Sequence, residues 1–184
     1  VGTCDWSIKM QLSTDSFHFG QRNDLDGIQY SFDAEGNGVD LRVRENRDLI
    51  RKTVAETGVG ISSLGIGLLN KVPLATTDEA DKLVTDCIET LVKLKEEAAE
   101  LDDRELAAKV SPKIVLLAFF GKGDINGKPK LQKEVIRRLK QVAPKAEKAG
   151  VILGIESWLN ADDHLRIVEA VGSPAVQVYY DVAN

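Results

Sequence analysis

Residues 151–184 (VILGIESWLNADDHLRIVEAVGSPAVQVYYDVAN) constrain the fold more tightly than any other stretch. Two short apolar runs, residues 151–155 and 175–180, bracket a segment with helical spacing, and each run ends in one carboxylate, Glu156 and then Asp181. Strand, helix and strand in this order form a parallel βαβ unit, whose two strands end on the same rim. A carboxylate at the end of a buried strand is costly to desolvate unless a positive group or a metal meets it. Glu156 and Asp181 are therefore the candidate functional pair. The residues alone leave open a metal site, an ion pair with a rim lysine, or a helix N-terminal cap.

The rest of the chain supplies the scaffold for that pair. Residues 1–10 read as a first strand, a helix follows from about Thr14, and residues 28–32 form a second strand. Residues 34–38 are a glycine-bearing loop, and the charged segment at 44–57 suits a surface helix stopped by Gly58. Residues 59–66 (VGISSLGI) give a third strand, followed by a loop with Pro73. Thr76 and Glu79 have the form of a capping box for a helix with Leu83, Val84, Cys87, Ile88, Leu91 and Leu94 at helical spacing. That helix either continues to about Lys109 or breaks near Asp102, so residues 95–110 read as a charged, solvated helical elaboration. Residues 113–120 (KIVLLAFF) form the clearest buried strand, of the kind a parallel sheet covers on both faces. A helix with Leu131, Val135, Leu139, Val142 and Ala146 comes next, with a kink or restart expected at Pro144 and a stop at Gly150. Asn160 and Asp163 cap the last helix, whose inner face is expected at Leu165, Val168 and Val171.

Six strands alternating with helices imply an α/β fold with a parallel sheet and right-handed crossovers. An open doubly wound sheet and a (β/α)8 TIM barrel both fit. A whole barrel takes about 250 residues, so a single domain over residues 1–184 reads as strands 1–6 of a barrel without strands 7–8. If residues 1–184 are the whole chain, six strands leave two exposed edges, and a homo-oligomer formed through them is expected.

Composition narrows the partners. A formal charge of −5 argues against non-specific nucleic-acid binding, which needs a basic face. No apolar run reaches the ~18–20 residues of a bilayer crossing, so no membrane partner is expected. Cys4 and Cys87 are too few and too far apart for a disulfide framework or a zinc site, and read as reduced core residues of a cytoplasmic protein. The chain opens on an apolar segment with no Met, no basic region and no signal-peptide pattern, which points to a removed residue or leader, or to a start inside a longer gene.

At the carboxyl ends of parallel strands, where such folds bind ligands, Glu156 and Asp181 lie one βα unit apart. Neighbouring strands are about 4.8 Å apart, so both side chains could reach one hard divalent cation. Trp6 and Trp158 are expected to end strands 1 and 5, where an aromatic plane can stack on the C–H face of a sugar, or simply fill the rim. Lys122, within Gly121-Lys122-Gly123, could hold a phosphate or a hydroxyl, although the spacing is not that of a P-loop. Gly65-x-Gly67 lacks the third glycine of a dinucleotide fingerprint. His18 and His164 are both expected at the surface.

The motifs GIESW at 154–158 and VQVYYDVAN at 176–184, preceded by KIVLLAFFGKG at 113–123, resemble the sugar phosphate isomerase/epimerase family with the xylose isomerase-like TIM barrel. The resemblance runs from Cys4 to Asn184, interrupted by the charged elaboration at 96–109. It implies that Glu156 and Asp181 bind a divalent metal of the Mn²⁺, Mg²⁺ or Co²⁺ type, and that Asn184 faces a small sugar substrate. The family completes its metal site with a His from strand 7 and a Glu from strand 8, neither of which this sequence contains. The resemblance thus implies an isomerase or epimerase of a small keto sugar or sugar phosphate, working through an enediolate with Glu156 as one of two acid–base groups. Turnover by these residues alone is not expected without the missing half-site. An inosose-type dehydratase or a hydroxypyruvate-type isomerase would use the same carboxylates, and a non-catalytic sugar-binding barrel or a truncated inactive product is the alternative outside enzyme chemistry.

Overall fold

The computed structural model describes residues 1–32 and 38–181. The loop expected at 34–38 falls outside them except for Gly38, and Asn184 lies outside them altogether. The described residues hold six strands, all parallel to their neighbours, with helices in every connection. They fold as two compact units, one of residues 1–65 and 89–113 and the other of residues 66–88 and 114–184.

In the first unit β1 (Gly2–Cys4), β2 (Gly27–Ser31) and β3 (Gly60–Ile66) lie side by side in sequence order. β1 pairs from Gly2 on Gly27 to Cys4 on Gln29, and the β2–β3 register shifts between Ile28 and Gln29. Helix α1 (Asp15–Arg22) buries Phe17 against Tyr30, with ring centroids 5.8 Å apart. Helix α2 (Arg44–Thr57) buries Ile50 and Val54 and stops where Gly58 takes a left-handed φ of 73° and donates its N–H to the Val54 carbonyl. Such a backbone turn is cheap for glycine and strained for other residues.

In the second unit β4 (Ile114–Phe119) pairs with β5 (Ile152–Ser157) over six residues, and β5 pairs with β6 (Val176–Val178) over three. Helices α5 (Pro129–Ala149) and α6 (Ala161–Val171) cover this sheet, burying Val135, Leu139, Ala146, Ile167 and Val171. Helix α3 (Asp78–Ala99) begins in this unit and ends in the first, where α4 (Arg104–Val110) follows it.

Several expectations need correction. The first strand is three residues long, not ten, because the chain turns at Asp5, where Ser7 N–H donates to the Cys4 carbonyl at 3.1 Å. Trp6 therefore lies in a turn and does not end a strand. The charged elaboration breaks before Asp103, which caps α4 by accepting the N–H groups of Glu105 and Leu106. It is not wholly solvated: Glu97 is taken up by the buried guanidinium of Arg47 at 2.8 Å. Helix α3 starts at Asp78, so Thr77 and not Thr76 precedes it, and the Thr77 hydroxyl donates to the Pro73 carbonyl. Helix α5 runs through Pro144 without restarting. Lys140 and Pro144 are both exposed, so water can take the carbonyl that proline leaves without a donor. On α6 the inner face is Ile167 and Val171, and Leu165 is 55% exposed. Burial of Ile167 sets that face, and Arg166 beside it donates to Gln132 Oε1 on α5 at 2.6 Å.

Candidate functional site

Glu156 is the penultimate residue of β5, half-buried, and stands opposite Ala118 of β4. Asp181, also half-buried, lies three residues beyond β6. The β5–β6 ladder continues past the last paired residue, since Tyr179 N–H donates to the Ile155 carbonyl at 2.9 Å. A Cβ added to Gly154 would sit 3.0 Å from the Tyr179 Cβ, so Tyr179 lies over Gly154. Side chains alternate along a strand, and Glu156, two residues on, shares the face on which Gly154 and Tyr179 meet.

The turn after Glu156 is closed by side chains. Ser157 accepts the Leu159 N–H at 3.1 Å, and its Oγ lies 3.0 Å from His164 Nε2 on α6. Asn160 then caps α6 by accepting the Asp163 N–H at 2.8 Å. His164 is thus half-buried and engaged with a strand end, where the sequence placed it at the surface. Trp158 projects from this turn, 55% exposed, with Phe120 edge-on to it at 5.2 Å between centroids.

Phe120 is fixed in turn. Its N–H donates to Asn70 Oδ1 at 2.8 Å, which ties the end of β4 to the 3-10 turn Gly67–Asn70. In the loop that carries Lys122, a Cβ on Gly123 would come within 2.4 Å of the Leu69 carbonyl oxygen. Only glycine lets the two backbones approach so closely there. Lys122 itself is exposed. Strand-end segments at 67–70, 120–123 and 156–160 therefore form one linked rim within the second unit.

The first unit has its own buried carboxylate, which sequence reasoning passed over. Asp5 is fully buried and accepts Ser31 Oγ–H at 2.7 Å, Ser31 N–H at 2.8 Å and Leu12 N–H at 3.2 Å. Burial pushes its carboxyl above the usual range, further than these hydrogen bonds lower it. These bonds hold the turn that displays Trp6, which is 59% exposed. The signal was the one that picked out Glu156, a carboxylate ending a strand, but it is visible only once β1 is known to stop at Cys4.

Of the six sequence candidates, Glu156, Asp181, Trp158 and Lys122 lie on strand-end segments of the second unit, and Trp6 lies in the first. Asn184 is outside the described residues. Residues that sequence reasoning missed are Asn70, Phe120 and Ser157, and His164 was expected only at the surface; their contacts join strand ends to a turn or to a helix. The two carboxylates supply hard oxygen donors, which suits a divalent cation of the Mg²⁺ class that takes one or two carboxylates and keeps water for the rest. Among the described residues no group of three or more His, Cys, Asp or Glu side chains gathers to hold a metal.

Comparisons with known proteins agree with this architecture. A xylose isomerase domain protein from Planctomyces limnophilus superposes with a TM-score of 0.62 at 16% identity, over 100% of this chain and 63% of its own. A xylose isomerase-like TIM barrel protein from Mycobacterium smegmatis, solved in complex with magnesium, gives 0.66 at 17% identity, over 93% and 56%. A D-psicose 3-epimerase solved in the presence of D-fructose gives 0.68 at 15% identity, over 96% and 61%. The chain thus spans about three-fifths of the length of these structures, and its six parallel strands correspond to part of a barrel. No curated protein matches it by sequence. Residues 17–184 match the family described as the xylose isomerase-like TIM barrel, and the chain belongs to that family.

Proposed function

We propose that the protein is a divalent-metal-dependent isomerase or epimerase of a small keto sugar or sugar phosphate, to which this chain contributes Glu156 and Asp181. The observation that supports the reading is Glu156 one residue from the end of β5, on the face where Gly154 and Tyr179 meet, with Asp181 three residues beyond the neighbouring strand β6. The magnesium complex and the ketose-bound epimerase among the matched structures support it at the level of the family. A divalent cation held there would polarise the substrate carbonyl and make the proton on the adjacent carbon easier to remove.

Glu156 is the proposed base that takes this proton, since a carboxylate within hydrogen-bond reach of the reacting carbon gives general base catalysis. Asp181 is proposed as a ligand only. Trp158, in T-shaped contact with Phe120, would offer an aromatic face to the C–H groups of the sugar. Lys122 and Asn184 are proposed further substrate contacts, with the Lys122 ammonium suited to a phosphate or hydroxyl.

Calorimetric titration with Mn²⁺ tests the reading. In a chain that carries the whole barrel, Glu156→Gln and Asp181→Asn are each expected to abolish Mn²⁺ binding, because each removes a charged oxygen ligand. Unchanged Mn²⁺ affinity in both variants would overturn the assignment.

A further inference from the structure

We propose that Ser157 and His164 are a positioning pair for Glu156, fixing the strand end that carries the carboxylate and thereby setting the affinity of the site for a divalent cation. This rests on the metal-binding reading of Glu156 given above. Glu156 is one residue from the end of β5, and strand ends fray unless something holds them. Ser157 follows it directly and, by alternation, faces the opposite side of the strand from the carboxylate. It therefore cannot be a ligand on the same face. What it can do is hold the backbone from behind.

The geometry makes that hold a rigid one. Ser157 Oγ takes the Leu159 N–H at 3.1 Å and meets His164 Nε2 at 3.0 Å, across seven residues of sequence. His164 stands in the opening turns of α6, a helix that is itself immobilised. Ile167 is fully buried, and Arg166 reaches Gln132 on α5 at 2.6 Å. The bond to His164 thus ties the end of β5 to the packed helical layer and not merely to its own loop. Groups that orient a metal ligand commonly change metal affinity by about 10- to 100-fold when lost, and here the orientation acts through the backbone next to Glu156.

Mn²⁺ titration of the wild-type chain and of Ser157→Ala, His164→Ala, His164→Gln and Glu156→Gln decides the matter, with thermal unfolding of each protein in the absence of metal. Glutamine can place an amide where Nε2 lies, so it tests the bond and not the ring. Ser157→Ala and His164→Ala are expected to weaken Mn²⁺ binding about tenfold or more. His164→Gln should recover most of the wild-type affinity. If binding is lost in Glu156→Gln but unchanged in Ser157→Ala and His164→Ala, the positioning role is wrong and the metal assignment stands. A loss in His164→Ala that only tracks a lower unfolding temperature, with no recovery in His164→Gln, would also overturn it. No Mn²⁺ binding by the wild-type chain would overturn both readings together.

Discussion

Asp5 shows how one side chain can set the path of a loop. Its carboxylate takes three donors, from Ser31 N–H, Ser31 Oγ–H and Leu12 N–H, and the segment between carries non-glycine residues in the left-handed region, Lys9 at φ 57° and Leu12 at φ 52°. Removing the acceptor strands buried donors, each costing about 1–3 kcal/mol. Asp5→Ala should therefore destabilise the chain by about 3 kcal/mol or more, read as a lower urea midpoint. Its folded carboxyl titrates above its unfolded value of 3.8, so the folded state binds the extra proton and this residue's contribution to stability falls as pH rises through that window. The stability gap between wild type and Asp5→Asn should accordingly be wider at pH 3 than at pH 7. Ser63 makes the contrast: its hydroxyl is buried with no hydrogen-bond partner among the described residues. Ser63→Ala loses no such bond and should be at least as stable as wild type in the same measurement.

Ion pairs act at the next scale, where they anchor helices. Arg47 of α2 is 6% exposed and gives its guanidinium to Glu97 of α3 and to the Leu41 and Arg42 carbonyls. Arg138 of α5 is similarly buried and gathers Asp78, Asp81 and Glu134, together with the Thr77 carbonyl. A buried pair adds little net stability when formed, but removing one partner leaves an uncompensated charge and costs about 3–5 kcal/mol. Glu97→Ala should therefore destabilise far more than Glu96→Ala one residue earlier, whose side chain is exposed. Comparable losses in the two variants by thermal unfolding would show that the Arg47 contact carries no weight. Glu97 was read from sequence as one more charge in a solvated run. Its neighbours are all acidic or small, and nothing local separates it from Glu96 or Glu100.

Across the whole molecule, acid stability follows from carboxylates held by cations. Burial raises Asp40 and Asp124, but the hydrogen bonds and charge of Arg42 and Lys128 outweigh it and hold both below the usual carboxylate range. The hydrogen bond from Arg137 leads in bringing Glu134 down to about 2. Groups with a depressed folded value add stability that is present above the unfolded value and lost as pH falls through the folded one. Asp5 and Asp81, both raised chiefly by burial, oppose this trend. The urea midpoint should therefore fall between pH 6 and pH 2, and high salt should shrink the drop by screening the exposed pairs. A midpoint that rises on acidification would mean that the raised carboxyls dominate.

The sequence by itself determined the order of elements and the position of Glu156 near the end of β5, because those depend on local information, whereas the run expected to reach Asp181 stops as a strand at Val178. Apolar runs, helical spacing and terminating glycines at 58 and 150 are each legible within a window of a few residues, and both glycines take left-handed caps. It also supported the barrel reading, because alternating strands and helices leave few ways to connect. Only the tertiary structure decided that β1 stops at Cys4, since the competing bonds to Asp5 come from Ser31, 26 residues away. Only it decided that Ile167 and Val171 form the inner face of α6 and that Leu165 stays out, since that depends on the surface the helix packs against. The engagement of Ser157 with His164, and of Asn70 with Phe120, was likewise invisible beforehand. Periodicity reports which residues prefer to be buried, and a polar side chain's partner is chosen by the fold that brings distant residues within 3 Å of it.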